Sequence, residues 1–129
     1  MDILPPLTKI LNKREAKVTP KVLKWFYKNY PFSVALEIKA TKTNSIPRSA
    51  LKAHQKKALI AVRSKAGLSY KIPDASHLRL PFDAIQLKNT EAFVVACFLE
   101  QGVCLAIPPE KWDGAKYKPM SDCVIRIDI

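Results

Sequence analysis

The 129-residue chain is long enough for one domain with a single core, and its hydrophobic fraction of 48% excludes disorder along most of its length. Twenty-two Lys and Arg against eleven Asp and Glu give a net charge of +11, which favours a polyanionic partner, nucleic acid before an acidic membrane surface. Because no apolar run approaches a membrane helix and MDILPPLTKI lacks the layout of a secretion signal, we expect a soluble, cytoplasmic protein that does not bind membranes.

The chain begins with a basic segment, LTKILNKREAKV, which we expect to be helical or partly ordered, and residues 1–12 are expected to form a flexible or partly ordered N-terminal segment. A helix is predicted to follow, with Thr19 as its N-cap and Pro20 in its first turn. Apolar side chains then recur at helical spacing, at Leu23, Phe26, Tyr27 and Tyr30. The helix is expected to end before Pro31, since the residue before a proline avoids the α region.

The stretch VALEIKAT, residues 34–41, predicts a strand. Successive side chains alternate between its faces, so Val34, Leu36, Ile38 and Ala40 form an apolar core face. Glu37 and Lys39 share the opposite face with small side chains. That face is either solvated or a site.

A polar connector leads to a second predicted helix, SALKAHQKKALIAVRSK. Gln55 lies four residues from Leu51 and four from Leu59, in the middle of the apolar stripe. A buried glutamine needs hydrogen-bond partners, so we expect Gln55 to contact polar groups in the folded protein.

The remainder of the chain is β-rich, with strands predicted in LSYKIPD, PFDAIQL, AFVVACFLE, VCLAIP and CVIRIDI. PFDAIQL and AFVVACFLE, joined by KNTE, are predicted to form an antiparallel hairpin, with the nearly all-apolar second strand at the sheet centre. The three cysteines have no metal-type spacing and are expected to be small core residues in a reducing compartment. The order of elements predicts an α/β or α+β domain.

The phrases ALEIKAT and IPRSALKAHQKKAL resemble the core of the PD-(D/E)XK nucleases, particularly the branch of Holliday-junction resolvases. In that family a strand with Glu-x-Lys leads into a helix that contains a glutamine. The resemblance extends from about Glu15 to Leu99 and implies a single nuclease-like domain over residues 1–129. It also implies an α/β fold of the restriction-endonuclease type, with a mixed central sheet flanked by helices.

The same resemblance implies catalytic roles for particular residues. Glu37 and Lys39 match the motif, and Gln55 and Glu15 match the helical glutamine and the N-terminal glutamate. The family aspartate has no counterpart between Glu15 and Glu37. Downstream, KIPDASHLRLPFD contains Asp74 and Asp83, and we expect Asp83 to take the place of the missing family aspartate in the site.

By resemblance, the cofactor is magnesium, which manganese can replace. Its expected ligands are Glu37, Asp83 and the backbone carbonyl of Ile38, with Glu15 on a second ion or on a metal-bound water. Lys39 is expected to hold the attacking water and neutralise phosphate charge, and Gln55 to orient Lys39.

The predicted partner is duplex or branched DNA, cleaved by phosphodiester hydrolysis, with a homodimer expected if the substrate is a four-way junction. A catalytically inactive nucleic-acid-binding module with the same fold is the alternative, followed by an RNA-binding protein. Three aromatic side chains either stack on unpaired bases or belong to the core, namely Trp25, Tyr27 and Trp112.

Overall fold

The computed structural model describes residues 6–72 and 81–129, with side chains described for 14–72 and 81–129. In chain order its elements are α1 Pro6–Asn29, β1 Val34–Thr41, β2 Ile46–Pro47, α2 Ala53–Arg63, β3 Leu68–Lys71, β4 Ala84–Leu87, β5 Glu91–Phe98, β6 Val103–Ile107, β7 Lys116–Tyr117 and β8 Ile125–Asp128. Two 3-10 turns lie at Arg48–Ala50 and Pro109–Lys111. No helix in the described ranges combines the length and apolar character needed to cross a bilayer.

Four strands form one mixed sheet in the order β1-β5-β6-β8. β1 pairs in parallel with β5, whereas the β5–β6 and β6–β8 pairs are antiparallel. Two small two-stranded sheets, β2–β7 and β3–β4, lie outside it. The sequence prediction of an α/β domain is therefore confirmed at the level of a mixed sheet with two helices.

The core has two layers because the central strands bury both faces. Along β5, Phe93, Val95 and Cys97 pack with α1, while the alternating residues pack on the α2 side. β6 alternates in the same way. α1 contributes the buried stripe Val18, Val22 and Phe26, and α2 contributes Leu59 and Val62. The sheet thus separates the two helices.

The predicted start of the first helix is wrong. α1 runs continuously through Thr19 and Pro20, and the Thr19 hydroxyl donates to the Glu15 carbonyl at 2.5 Å instead of capping a helix end. Residues 6–12 of the predicted flexible segment are helical, and residues 1–5 lie outside the described residues. Packing of Val18 and Val22 on the sheet, on both sides of Pro20, outweighs the backbone hydrogen bond that proline cannot make.

The predicted hairpin between PFDAIQL and AFVVACFLE is also wrong. β4 pairs with β3, and β5 lies between β1 and β6, so only its central position is confirmed. Asn89 has φ of 48° in the connecting turn. The next hydrogen bonds, from Asn89 N to Ser64 O at 3.0 Å and from Thr90 N to Val62 O at 2.9 Å, tie this turn to the end of α2. β5 therefore begins beside the C-terminal end of α2, and it does not pair with β4.

Candidate active site

Three polar side chains meet between β1 and α2. Gln55 Nε2 donates to Glu37 Oε1 at 2.9 Å, and Lys39 Nζ donates to Gln55 Oε1 at 3.1 Å. An ion pair of 3.3 Å between Lys39 Nζ and Glu37 Oε1 closes the triangle. The two strand residues share one face because they are two positions apart, and the helix supplies the third. We call this group the Glu37–Lys39–Gln55 cluster.

Gln55 also belongs to the first turn of α2. Its Oε1 accepts a second hydrogen bond, from the Lys52 backbone amide at 3.0 Å. This amide lies at the N-terminal end of the helix, where backbone donors lack intrahelical partners. One side chain therefore caps the helix and joins the two charged groups, which fixes the orientation of its amide.

The cluster is partly shielded from water. The Lys39 side chain is 14% exposed and that of Glu37 is 31% exposed, so the lysine side chain is the more shielded of the two. Within the part of the chain that the structure describes, both contacts to Glu37 involve Oε1, and Oε2 makes no hydrogen bond or ion pair. Partial burial strengthens the attraction between opposite charges relative to bulk water. The Oε2 atom remains the side of the carboxylate that can accept a further ligand.

A loop from the C-terminal part of the chain braces the connector between β1 and α2. Trp112 is buried, and its indole Nε1 donates to the Arg48 carbonyl at 3.0 Å. Its own carbonyl accepts from Lys56 Nζ at 3.0 Å, and β2 pairs with β7. Sequence reasoning missed this support, since these contacts join residues that are 56 to 71 positions apart and have no local signal.

Asp83 is not brought into contact with the cluster. It directly precedes β4, its side chain is exposed, and its backbone carbonyl accepts from Ile72 N at 2.8 Å. No hydrogen bond or ion pair between described residues connects it to Glu37. Leu87, at the other end of β4, packs on the α2-side core. Asp83 lies four residues before it, about 13 Å along an extended strand, and is exposed. The other expected aspartate, Asp74, lies outside the described residues.

Glu15 lies on the α1 side of the sheet. It is half-buried, and its charge is one of the causes that raise the pKa of the Cys97 thiol, after the hydrogen bond between the Cys97 and Cys104 thiols and burial. Cys97 belongs to the core layer against α1, whereas the cluster faces α2. Glu15 and Glu37 are therefore on opposite faces, and no described hydrogen bond or ion pair connects them.

The remaining predicted residues divide between core and surface. Trp112 is 1% exposed and stacks on Tyr117 with ring centroids 3.9 Å apart, so this indole belongs to the core. Trp25 is half-buried and packs against the α1-side core, whereas Tyr27 is 90% exposed. Over 14–72 and 81–129, no three His, Cys, Asp or Glu side chains group closely enough to hold a metal ion.

Comparison with family models, with curated proteins and with solved structures finds no match to this chain.

Substitution of Gln55 by leucine is expected to lower the free energy of unfolding by about 1–3 kcal/mol, since the Lys39 ammonium, Glu37 Oε1 and the Lys52 amide all lose their amide partner. Urea unfolding measures the change. Lys57→Leu, on the exposed side of α2, is the matched control and is expected to change stability by less than about 0.5 kcal/mol. Equal effects of the two substitutions would show that the cluster adds nothing to stability.

Proposed function

We propose that this chain is a metal-dependent endodeoxyribonuclease with a restriction-endonuclease-like fold. The observation that carries the proposal is the three-way contact of Glu37, Lys39 and Gln55. These are the residues on which the resemblance to the PD-(D/E)XK nucleases rests. Their elements follow the order that this resemblance implies, in which a Glu-x-Lys strand leads into a helix with a glutamine.

The residues around Glu37 meet the minimum that magnesium requires of a protein. Magnesium is a hard cation commonly held by one or two carboxylates, waters and substrate phosphates. Glu37 is the residue that would hold it, since its side chain is 31% exposed and its Oε2 makes no hydrogen bond or ion pair with a described residue. The neighbouring Ile38 carbonyl is the second candidate ligand, and the metal when bound would supply Lewis-acid activation of the phosphate.

Lys39 and Gln55 supply the rest of the chemistry. The Lys39 ammonium would hold the attacking water by hydrogen bonding and stabilise the negative charge that develops on the phosphate. Gln55, which accepts from Lys39 and donates to Glu37, keeps that ammonium beside the carboxylate and prevents it from turning into solvent. It is a positioning residue in this scheme. Asp83 and Glu15 enter only through a rearrangement that carries them to Glu37.

A branched substrate is the second level of the proposal. The resemblance to junction resolvases favours four-way junctions over linear duplex, and cutting two opposed strands requires two sites. A homodimer follows from that requirement, and the proposal predicts one in solution in the presence of junction DNA.

A catalytically inactive DNA-binding module is the second candidate function. It is favoured by one observation, namely that Glu37 is the one carboxylate in contact with Lys39 or Gln55 in the described part of the chain. Such a module would bind DNA in a salt-dependent way that is indifferent to magnesium.

Cleavage assays on labelled DNA decide between the two. Wild type is incubated with duplex, flap and four-way-junction DNA in magnesium, in manganese and in EDTA, and Glu37→Gln, purified identically, reveals any contaminating nuclease. We expect cleavage in either metal that stops in EDTA and is absent from the Glu37→Gln sample. Binding without cleavage of any substrate would establish the inactive module instead.

A further inference from the structure

α1 carries a basic stripe along one flank. Its members are separated by three or four residues, which places them on one side of a helix: Arg14, Lys17, Lys21, Lys24 and Lys28. All five are exposed, and the stripe lies roughly a third of a turn from the buried stripe of Val18, Val22 and Phe26. It extends for about 21 Å at 1.5 Å per residue. We call these five residues the basic flank.

The N-terminal part of the basic flank forms one wall of a groove of about 680 Å³. Arg14, Lys17 and Lys21 line it, Lys42 approaches from the end of β1, and Val18 and Leu99 contribute its apolar part. Gly102 and Ile129 complete the lining, and none of the described side chains in it is acidic. Four cations therefore surround one concave surface.

Such a groove fits a phosphodiester backbone. Clustered cationic side chains raise the positive potential and attract a polyanion, and Lys and Arg bind phosphate oxygens without regard to base sequence. The 21 Å stripe corresponds to about six base pairs of duplex at 3.4 Å each. A neutral or small ligand would leave most of the stripe unused.

The groove and the Glu37–Lys39–Gln55 cluster lie on opposite sides of the sheet and are joined by β1. Lys39 and Lys42 are three residues apart, about 10 Å along an extended chain. β1 is also at one edge of the four-stranded sheet, in hydrogen-bonded contact with β5 alone among the described strands. Backbone held in the groove therefore has a short route past the end of β1 toward the cluster.

We propose that this groove and the basic flank form the duplex-binding surface of the protein, which holds the sugar–phosphate backbone on the opposite side of β1 from the Glu37–Lys39–Gln55 cluster. The identity of the ligand as DNA rests on the proposed function. The surface itself rests on the placement of the cations.

The test is DNA binding in EDTA, where no metal-dependent cleavage takes place. The variant Arg14→Gln, Lys17→Gln, Lys21→Gln removes three positive charges from the groove and keeps good helix formers. The control Lys65→Gln, Lys116→Gln, Lys118→Gln removes the same charge from exposed lysines elsewhere. Fluorescence anisotropy with a labelled 20-base-pair duplex, across a salt series, gives the affinity and its salt dependence, and circular dichroism verifies that both variants are folded.

We expect the groove variant to bind at least about tenfold more weakly near 0.1 M salt, and its slope of log affinity against log salt to be about 2–3 smaller, at roughly 0.9 for each lost phosphate contact. The control is expected to retain affinity within about threefold. Equal losses in the two variants would reduce the effect to net charge and overturn the proposal.

Two competitor arms identify the source of the phosphates. Preferential displacement of the labelled duplex by single-stranded RNA, or by vesicles containing phosphatidylserine, would overturn the assignment to duplex DNA. None of these measurements requires cleavage. A protein that cleaves no DNA but loses DNA affinity in the groove variant would therefore contradict the proposed nuclease activity and not the proposed binding surface.

Discussion

Replacing Lys39 by methionine is expected to slow metal-dependent DNA cleavage by about 10²–10⁴-fold, the range that a proton-transfer or charge-stabilising group contributes. Methionine keeps an unbranched chain of similar length but removes the ammonium that lies 3.3 Å from Glu37 Oε1. Single-turnover cleavage of the best substrate in magnesium measures the loss. DNA affinity in EDTA is expected to change by less than about threefold, since one phosphate contact at most is removed.

Lys57→Met is the matched control for this substitution. It removes the same charge from the exposed side of α2, and we expect its cleavage rate to stay within about threefold of wild type. A Lys39→Met protein that cleaves as fast as Lys57→Met would exclude Lys39 from the chemistry. If both variants lose rate and affinity together, the two lysines merely attract DNA.

Truncation of Trp112 to alanine is expected to have the largest effect on stability, a loss of about 3–5 kcal/mol in the free energy of unfolding. The side chain is 1% exposed, stacks on Tyr117 and donates to the Arg48 carbonyl. Its removal leaves a cavity beneath the connector that leads into α2. Chemical denaturation measures the change, and Trp112→Phe, which keeps an aromatic ring but loses the N–H, is expected to cost less.

Trp25→Ala is the control for Trp112→Ala, because this indole is only half-buried on the α1 side. We expect it to lower stability by clearly less than Trp112→Ala. A larger loss at Trp25 would contradict the view that the connector depends on Trp112.

Local periodicity was sufficient to predict the parts of the site. Alternation along VALEIKAT places Glu37 and Lys39 on one face. The 3.6-residue period predicts that Gln55 lies among apolar side chains and needs a polar partner, and the half-buried Gln55 donates to Glu37. Gln55 lies 16 residues after Lys39 and 18 after Glu37, and the connector that brings α2 back to β1 is braced by Trp112, a contact that local periodicity does not predict. Whether Glu37, Lys39 and Gln55 catalyse DNA cleavage stays a prediction.

Contacts between distant segments could not be predicted in this way. β1 and β5 pair in parallel although they are more than 50 residues apart, and no turn sequence indicates such a pair. Local sequence instead favours a hairpin between the neighbouring segments PFDAIQL and AFVVACFLE, which is wrong. Helix α1 continues through Pro20 because Val18 and Val22, on either side of the proline, pack against the sheet. This packing cannot be inferred from the local sequence. Asp83 is predicted as a metal ligand because it fills a gap in the resemblance, and local sequence does not show which residues it contacts. Its backbone carbonyl accepts from Ile72 N, and no described contact connects Asp83 to Glu37.

The two hydrogen bonds that tie Asn89 and Thr90 to the end of α2 have a consequence for engineering. The chain leaves α2 at Ser64 and returns to it at Asn89. The spacing between α2 and β5 therefore does not depend on the number of residues in the stretch from Lys65 to Lys88. That stretch is a natural position for grafting a foreign cassette, such as a fluorescent reporter or an affinity tag. Its exchange is compatible with an intact sheet provided that the apolar contacts of Leu68 and Leu87 are replaced.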